Sequence, residues 1–142
     1  MPQKVLVPVD ESEQAKKALD YAIETHGEGD ITLLHVLSVP SRIHPLRKSG
    51  YEGIEQVVED AKEDAEQLLG ELQSRAAEQG VDVTTDTAQG SVAKEIVAYA
   101  EEGDFDLIVI GSHGRSGASR VLLGSVAESV ARRSSLPVVI QR

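Results

Sequence analysis

The chain has 142 residues, the length of one domain with a single core, and its 24 acidic and 14 basic residues give a net charge of −10. This charge argues against nucleic acid as the main partner, because binding to phosphates needs a basic surface. Cysteine is absent, which excludes disulfides and thiolate chemistry, and no apolar stretch approaches the ~20 residues of a membrane span. The first residues lack signal-peptide composition, so we expect one cytoplasmic domain over residues 1–142.

Strand-like and helix-like segments alternate through the first half of the chain. An apolar run at 5–9 predicts the first strand, and apolar residues at helical spacing predict a helix over 15–27. A Leu- and Val-rich strand is predicted at 31–39, and a long loop with a basic cluster follows at 40–53. That loop is either a cover for a binding site or simply mobile. A long amphipathic helix is then predicted over 54–80.

The alternation continues in the second half. Residues 81–87 alternate between apolar and polar, as expected of an exposed edge strand, and Ser91 is a predicted N-cap of the third helix. The remaining predicted elements are a strand at 107–110, a helix at 126–133 and a strand at 137–140.

This order of elements predicts a single-domain α/β fold with a doubly wound parallel five-stranded sheet and helices on both faces. Continuous apolar runs place the first, second and fourth strands at the centre, which favours the strand order 3-2-1-4-5. Ligands of such sheets bind outside the carboxyl ends of the strands, where the winding reverses. Here that point lies between the first and fourth strands, which end at Pro8-Val9-Asp10 and at Gly111.

A glycine-rich segment follows the fourth strand, with Gly111, Gly114 and then Gly124-Ser125 at the start of the last helix. Glycine permits positive φ and a close approach of peptide N–H groups to a ligand, and a helix N-terminus adds unpaired donors and a positive dipole. We interpret the segment as a phosphate site. The alternative is that the glycines serve only tight turns and helix packing.

The distribution of charge supports an anion at this segment. Residues 111–142 contain five arginines and one acid and carry +4, whereas the first 110 residues carry −14. Arg115 and Arg120 lie within the glycine segment and are candidates for phosphate contacts. Arg132 and Arg133 are expected only to complement the C-terminus of the last helix.

Three further side chains are candidates near the predicted site. Asp10 is either the N-cap of the first helix, paired with Glu13, or an acceptor for a ribose hydroxyl or an adenine amine, and both roles are compatible. His113, between two loop glycines, lacks an obvious orienting carboxylate and is expected to have no chemical role. His35 is expected to be a hydrogen-bonded core histidine. The sequence also lacks the P-loop motif and its lysine, so phosphates are held without evident hydrolytic machinery.

These motifs resemble the universal stress protein family, whose nucleotide loop has the pattern G-x2-G-x9-G-[S/T]. The resemblance covers nearly the whole chain and includes V-P-V-D at 7–10, D-L-I-V-I-G-S-H-G at 106–114 and L-L-G-S-V-A at 122–127. It implies an adenine nucleotide alpha hydrolase-like fold and the ATP-binding subclass. The residues implied to line the adenosine end are Pro8, Val9, Asp10 and Val36, and those implied to hold ribose and phosphates are Ile110, Gly111, Gly114, Gly124, Ser125 and Val126.

The resemblance implies an ATP-binding regulatory module of the stress response rather than a metabolic enzyme. The alternative is a slow ATPase or an autophosphorylating enzyme that uses the same site. We expect ATP, with AMP and ADP as alternatives, together with Mg²⁺ held by phosphate oxygens and water, and assign no catalytic residue and no metal ligand. A regulatory protein partner is expected, but no nucleic acid and no membrane. The apolar last strand at a sheet edge predicts a homodimer through that strand.

Overall fold

A computed structural model describes residues 3–38, 50–112 and 124–142, with the side chains of 50–54 excepted. Nine elements alternate along this part of the chain, as the sequence predicts. They are β1 (Lys4–Pro8), α1 (Glu13–His26), β2 (Asp30–Leu37), α2 (Gly50–Glu78), β3 (Val83–Gln89), α3 (Val92–Glu102), β4 (Leu107–Gly111), α4 (Ser125–Arg133) and β5 (Val138–Gln141). Most of the predicted loop at 40–53 lies outside the described residues.

All five strands pair in parallel, in the order β3-β2-β1-β4-β5, which confirms the predicted doubly wound fold. The central strand β1 pairs with β2 on one side and with β4 on the other. The winding of the chain therefore reverses at the gap between β1 and β4. No described helix combines the length and the apolar character needed to cross a membrane.

The core consists of two layers, one on each face of the sheet. Alternate residues of β1 point to opposite layers: Val5 and Val7 pack with α1 and α2, and Leu6 packs with α3 and α4. All three side chains are fully buried. A central parallel strand must be apolar on both faces, which explains why its sequence reads as a continuous apolar run.

Several element boundaries differ from those predicted from the sequence, and α2 begins at Gly50, within the predicted loop at 40–53, rather than at 54. The second strand ends at Leu37 rather than at 39. The third strand begins at Val83 rather than at 81, because the Val81 N–H bonds back to the last turn of α2. There Gly80 has φ of 80°, its N–H donates to Ala77, and the N–H of Val81 donates to Ala76. This pattern is a Schellman motif. It uses the backbone N–H of Val81, which the alternation of apolar and polar residues had predicted to be part of the strand.

The edge strand β3 is tied to α3 by a polar contact. The hydroxyl of Tyr99 donates to the Asp86 carboxylate at 2.7 Å, and the other oxygen of Asp86 accepts from the Thr87 N–H at 2.8 Å. Burial of the phenol, together with this carboxylate, raises the pKa of Tyr99 to about 12. Tyr99 therefore remains a donor across the neutral range, and Asp86 places a charge on the sheet edge, which discourages pairing with another chain.

Helices α1 and α2 are joined by a bidentate ion pair on one face of the molecule. The Arg75 guanidinium donates to both oxygens of Asp20, at 2.9 and 2.7 Å, and the amide of Gln79 donates to the same carboxylate at 3.3 Å. Arg75 lowers the pKa of Asp20 below its ordinary value of 3.8. Because the pair is partly exposed, solvent screening limits its contribution to stability.

We expect Asp20→Asn to lower the free energy of unfolding by about 0.5–1 kcal/mol at neutral pH. Since the folded-state pKa of Asp20 is depressed, the unfolded chain binds the proton first. The contribution of the pair is therefore complete at neutral pH and disappears as the pH falls below 3.8 through the folded-state pKa. Urea denaturation of parent and variant across this pH range measures it, with Glu24→Gln on the same helix as the control. A difference that does not change with pH would contradict the assignment.

Candidate functional site

The carboxyl ends of β1 and β4 bring together two segments that the sequence singled out. Leu6 lies opposite Ile108, and continuing this register places Val9 level with Gly111. Pro8, Val9 and Ile110 are buried at this edge, whereas Asp10 and Gly111 are half-buried. The two segments therefore lie side by side at the reversal of winding, where open α/β sheets bind their ligands.

Asp10 is not the N-cap of α1, contrary to one of the two roles considered for it. The cap is Ser12, whose hydroxyl accepts from the Ala15 N–H at 3.2 Å. One carboxylate oxygen of Asp10, Oδ1, accepts from the Ser12 N–H at 2.8 Å and from the Ser12 hydroxyl. Asp10 thus forms an Asx turn that orients the cap, and its second oxygen, Oδ2, is not used in these contacts.

His35 contacts the same segment from β2. Its Nδ1 lies 2.8 Å from the Val9 carbonyl oxygen, and the Val9 N–H donates to Leu34 at 2.8 Å. The expectation of a hydrogen-bonded histidine is confirmed, although the ring is half-buried rather than in the core. Val36, the next residue, is buried in the layer of α3 and α4 at the same edge of the sheet.

Gly111 has a packing role that the sequence analysis did not assign to it. A Cβ at this position would lie 2.6 Å from the Gln14 carbonyl oxygen, in the first turn of α1. Among the described glycines, positive φ occurs only at Gly80 and Gly90, so Gly111 is not required for a left-handed backbone. Its lack of a side chain allows α1 to approach β4 closely. The next residue, Ser112, donates its N–H to Gln141 at 2.7 Å and so ties the end of β4 to β5.

Helix α4 begins at this edge of the sheet, and its N-terminus has no side-chain cap among the described residues. Because β4 and β5 are parallel, the helix between them returns from the carboxyl edge to the amino edge, and Gly124 and Ser125 lie at the carboxyl edge. Gly124 is buried and extended, with φ of −62° and ψ of 151°, and no described side chain caps the helix. The first-turn N–H groups lack intrahelical acceptors and have no backbone acceptor among the described residues, and such groups suit an anion.

The remaining predicted site residues divide into two groups. Val126 is half-buried in the first turn of α4 and packs against the layer of α3 and α4. Gly114 and Arg115 lie outside the described residues, as do Arg120 and His113. Their contacts with a ligand stay predictions, like those of the other residues proposed from the sequence.

The two arginines at the end of α4 have the structural role expected of them. Arg132 and Arg133 lie in the last turn, and Arg132 donates to Glu128 at 2.7 Å. That ion pair neutralises the one acid of α4, which otherwise would repel an anion at the N-terminus of the same helix. Within residues 3–38, 50–112 and 124–142, no three acidic or histidine side chains cluster as a metal site would require.

Comparison with known proteins agrees with this geometry. The sequence model of the universal stress protein family matches residues 1–142. The universal stress protein YxiE of Bacillus subtilis is 34% identical over 145 residues, covering 98% of this chain and 98% of that protein. The universal stress protein UspA from Lactobacillus plantarum has the same fold, with a TM-score of 0.86 over 99% of this chain and 98% of that one at 24% identity.

A third similar protein is a universal stress protein solved in complex with cAMP. It is 28% identical, with a TM-score of 0.67 over 99% of this chain and 97% of that one. The fold and the edge at which β1, β4 and α4 meet define an α/β domain of the universal stress protein type. The chain belongs to the universal stress protein family.

We expect Gly111→Ala to destabilise the protein even without nucleotide, by about 1–3 kcal/mol, because the added Cβ overlaps the Gln14 backbone. Urea denaturation of the nucleotide-free protein measures this loss. Gly70→Ala, in open space on α2, is the matched control and should be neutral or stabilising. An unchanged midpoint for Gly111→Ala would show that α1 does not approach β4 as described.

Proposed function

We propose that this universal stress protein binds ATP with Mg²⁺ at the carboxyl edge of its sheet and acts as a nucleotide-dependent regulatory module of the stress response. The observation that carries the proposal is the N-terminus of α4, which no described side chain caps and which lies at the same edge as the Asp10 carboxylate. A cluster of N–H donors suits phosphate, and a fixed carboxylate acceptor suits a hydroxyl or an amine. An adenine nucleotide carries both kinds of group.

The adenosine end is assigned to the β1 side of the site. Oδ1 of Asp10 is occupied by Ser12, so the orientation of the carboxylate is fixed before any ligand binds, and Oδ2 is assigned to a ribose hydroxyl. The buried Pro8, Val9 and Val36 supply apolar surface for the base. Such preorganisation increases affinity because little ordering is needed on binding.

The phosphate end is assigned to the β4 and α4 side. Gly124 places no side chain over the first turn of α4, so phosphate oxygens can approach the N–H groups of Ser125 and Val126. Gly114 and Arg115 of the glycine segment are proposed to complete the contacts. Mg²⁺ is proposed to be held by phosphate oxygens and water.

The relatives support an adenine nucleotide as the ligand class. A universal stress protein that is 28% identical to this chain was solved in complex with cAMP. A regulatory role is favoured over catalysis because the sequence lacks a P-loop lysine. Turnover measured with the purified protein separates the two, since a regulatory module retains its bound nucleotide without hydrolysing it.

We expect the parent protein to bind ATP with Mg²⁺ in isothermal titration, and Gly124→Val to abolish binding while it still unfolds cooperatively. The backbone at Gly124 is extended, so valine does not strain it, and its side chain instead obstructs the approach of phosphate. Gly70→Val, on the exposed face of α2, is the matched control and should bind as the parent does. If Gly124→Val bound ATP with the same affinity as the parent, the phosphate would not bind at the N-terminus of α4.

A homodimer through β5 is the second part of the proposal. β5 is an edge strand of four half-buried residues, and β4 is its partner in the sheet. Pro137 and Gln141 accept ladder bonds from Ile108 and Ser112. In a parallel ladder one residue uses both its backbone groups on the same side, so Val138 and Ile140 direct theirs to the free edge. Two such edges can pair in antiparallel fashion around a two-fold axis.

We expect light scattering at micromolar concentration to give twice the 15.2 kDa mass of the chain. Ile140→Pro should convert the dimer to a monomer, because proline removes an outward N–H while the ladder to β4 is made by Gln141 and not by Ile140. Ile140→Val retains the N–H and should remain dimeric. A parent protein with the mass of one chain would overturn the proposed interface.

A further inference from the structure

We infer that His35 is a positioning residue of the nucleotide site, an inference that rests on the proposed function. Its ring holds the Val9 carbonyl in place of the next backbone hydrogen bond of the β1–β2 ladder. Two consequences follow for the site: the Val9-Asp10 segment is fixed, and the Val36 N–H, which has no backbone partner among the described residues, can donate to an acceptor on the ligand.

The geometry determines which ring atom carries the hydrogen. Nδ1 of His35 is 2.8 Å from the Val9 oxygen, and a carbonyl oxygen can only accept. Nδ1 therefore donates, and in the neutral ring Nε2 is the unprotonated nitrogen. The side chain is locked in one tautomer by a backbone group at the end of β1.

The bond lies where the regular ladder stops. Val9 follows the last residue of β1, and its N–H still donates to Leu34 at 2.8 Å. In a regular parallel ladder the carbonyl of Val9 would then accept from the N–H of the residue two positions after Leu34, which is Val36. No such bond is present among the described residues, and the His35 ring donates to the Val9 oxygen instead.

The held segment leads directly to the proposed ribose contact. Both backbone groups of Val9 are bonded to β2, and its side chain is only 6% exposed. The next residue, Asp10, is in turn fixed by the N–H and hydroxyl of Ser12. Hydrogen bonds thus hold two consecutive residues, Val9 from β2 and Asp10 from the cap of α1.

Removing the ring has a definite structural consequence. Without a donor at His35, the Val9 oxygen is free to accept from the Val36 N–H, and the β1–β2 ladder extends by one bond. The donor at the adenosine end is then used within the protein, and Asp10 moves with the segment. His35 therefore keeps the Val36 N–H from bonding to Val9, so that this donor can serve the ligand.

Substitutions of His35 that remove or retain a hydrogen-bond donor test the inference. His35→Leu has a similar extent but no donor, and we expect its affinity for ATP with Mg²⁺ to fall about fivefold to tenfold, the equivalent of one hydrogen bond. His35→Asn places an amide nitrogen where Nδ1 lies and should restore most of the affinity. His26→Leu, at the C-terminal end of α1, is the same substitution away from the site and should bind as the parent does.

A second comparison separates positioning from general stability. If His35 acts through Asp10, its effect must be smaller when Asp10 is already lost. We expect Asp10→Ala to weaken binding, and the addition of His35→Leu to Asp10→Ala to cost less than His35→Leu costs in the parent. Strictly additive losses would contradict the inference.

Amide hydrogen exchange tests the inference first on the nucleotide-free parent protein, and that first result does not depend on any variant. We expect the Val36 amide to exchange faster than its neighbours in β2, to become protected when ATP with Mg²⁺ is added, and to be protected without nucleotide in His35→Leu. Protection of Val36 in the nucleotide-free parent would overturn the inference even if that protein binds ATP. Failure of the parent to bind ATP would instead overturn the proposed function, while exchange in the nucleotide-free protein would still report on His35.

Discussion

The parallel pairing of β1 with β4 is the constraint on which the rest of the structure depends. These two strands are buried on both faces, and the chain leaves them in opposite directions, towards α1 on one face and α4 on the other. Where the two strands diverge, they leave a crevice at the edge of the sheet, and open α/β sheets bind their ligands in such a crevice.

The described glycines of the site illustrate two different uses of a missing side chain. Gly111 allows the backbone of α1 to lie against β4, and its substitution affects the fold. Gly124 places no side chain at the N-terminus of α4, and its substitution is expected to affect ligand binding. Neither has a left-handed backbone, so close approach and not backbone freedom is the reason for glycine at Gly111 and the proposed reason at Gly124. A single sequence motif therefore combines a packing requirement with a proposed binding requirement.

The sequence predicts the fold well because periodicity and burial are linked in a parallel sheet. The apolar runs of β1, β2 and β4 identified the central strands, and the alternation of β3 identified an edge. Boundaries were less predictable, because the Schellman motif at Gly80 depends on how the helix ends and not on hydrophobicity. Likewise, Asp10 and Ser12 are both suitable caps, and only the geometry shows that Ser12 has this role.

The contacts that matter most at the candidate site join residues far apart in the sequence. Nothing in the local pattern relates Gly111 to Gln14 or His35 to Val9, since each pair meets only when the sheet assembles. The residues at the edge of the sheet could therefore be predicted individually, but their supporting contacts could not. This difference explains why His35 was recognised as hydrogen-bonded without its partner being identified.

The phosphates of a nucleotide are proposed to bind at the N-terminus of α4, beside Asp10. Backbone amide NMR shifts, recorded while ATP with Mg²⁺ is added to the protein, give the decisive test. We expect the largest shifts at Ser125, Val126 and Ala127 in the first turn of α4, with a second group at Asp10 and Val36. Shifts confined to other parts of the sheet, or no shifts at millimolar ATP, would rule out this placement of the phosphates.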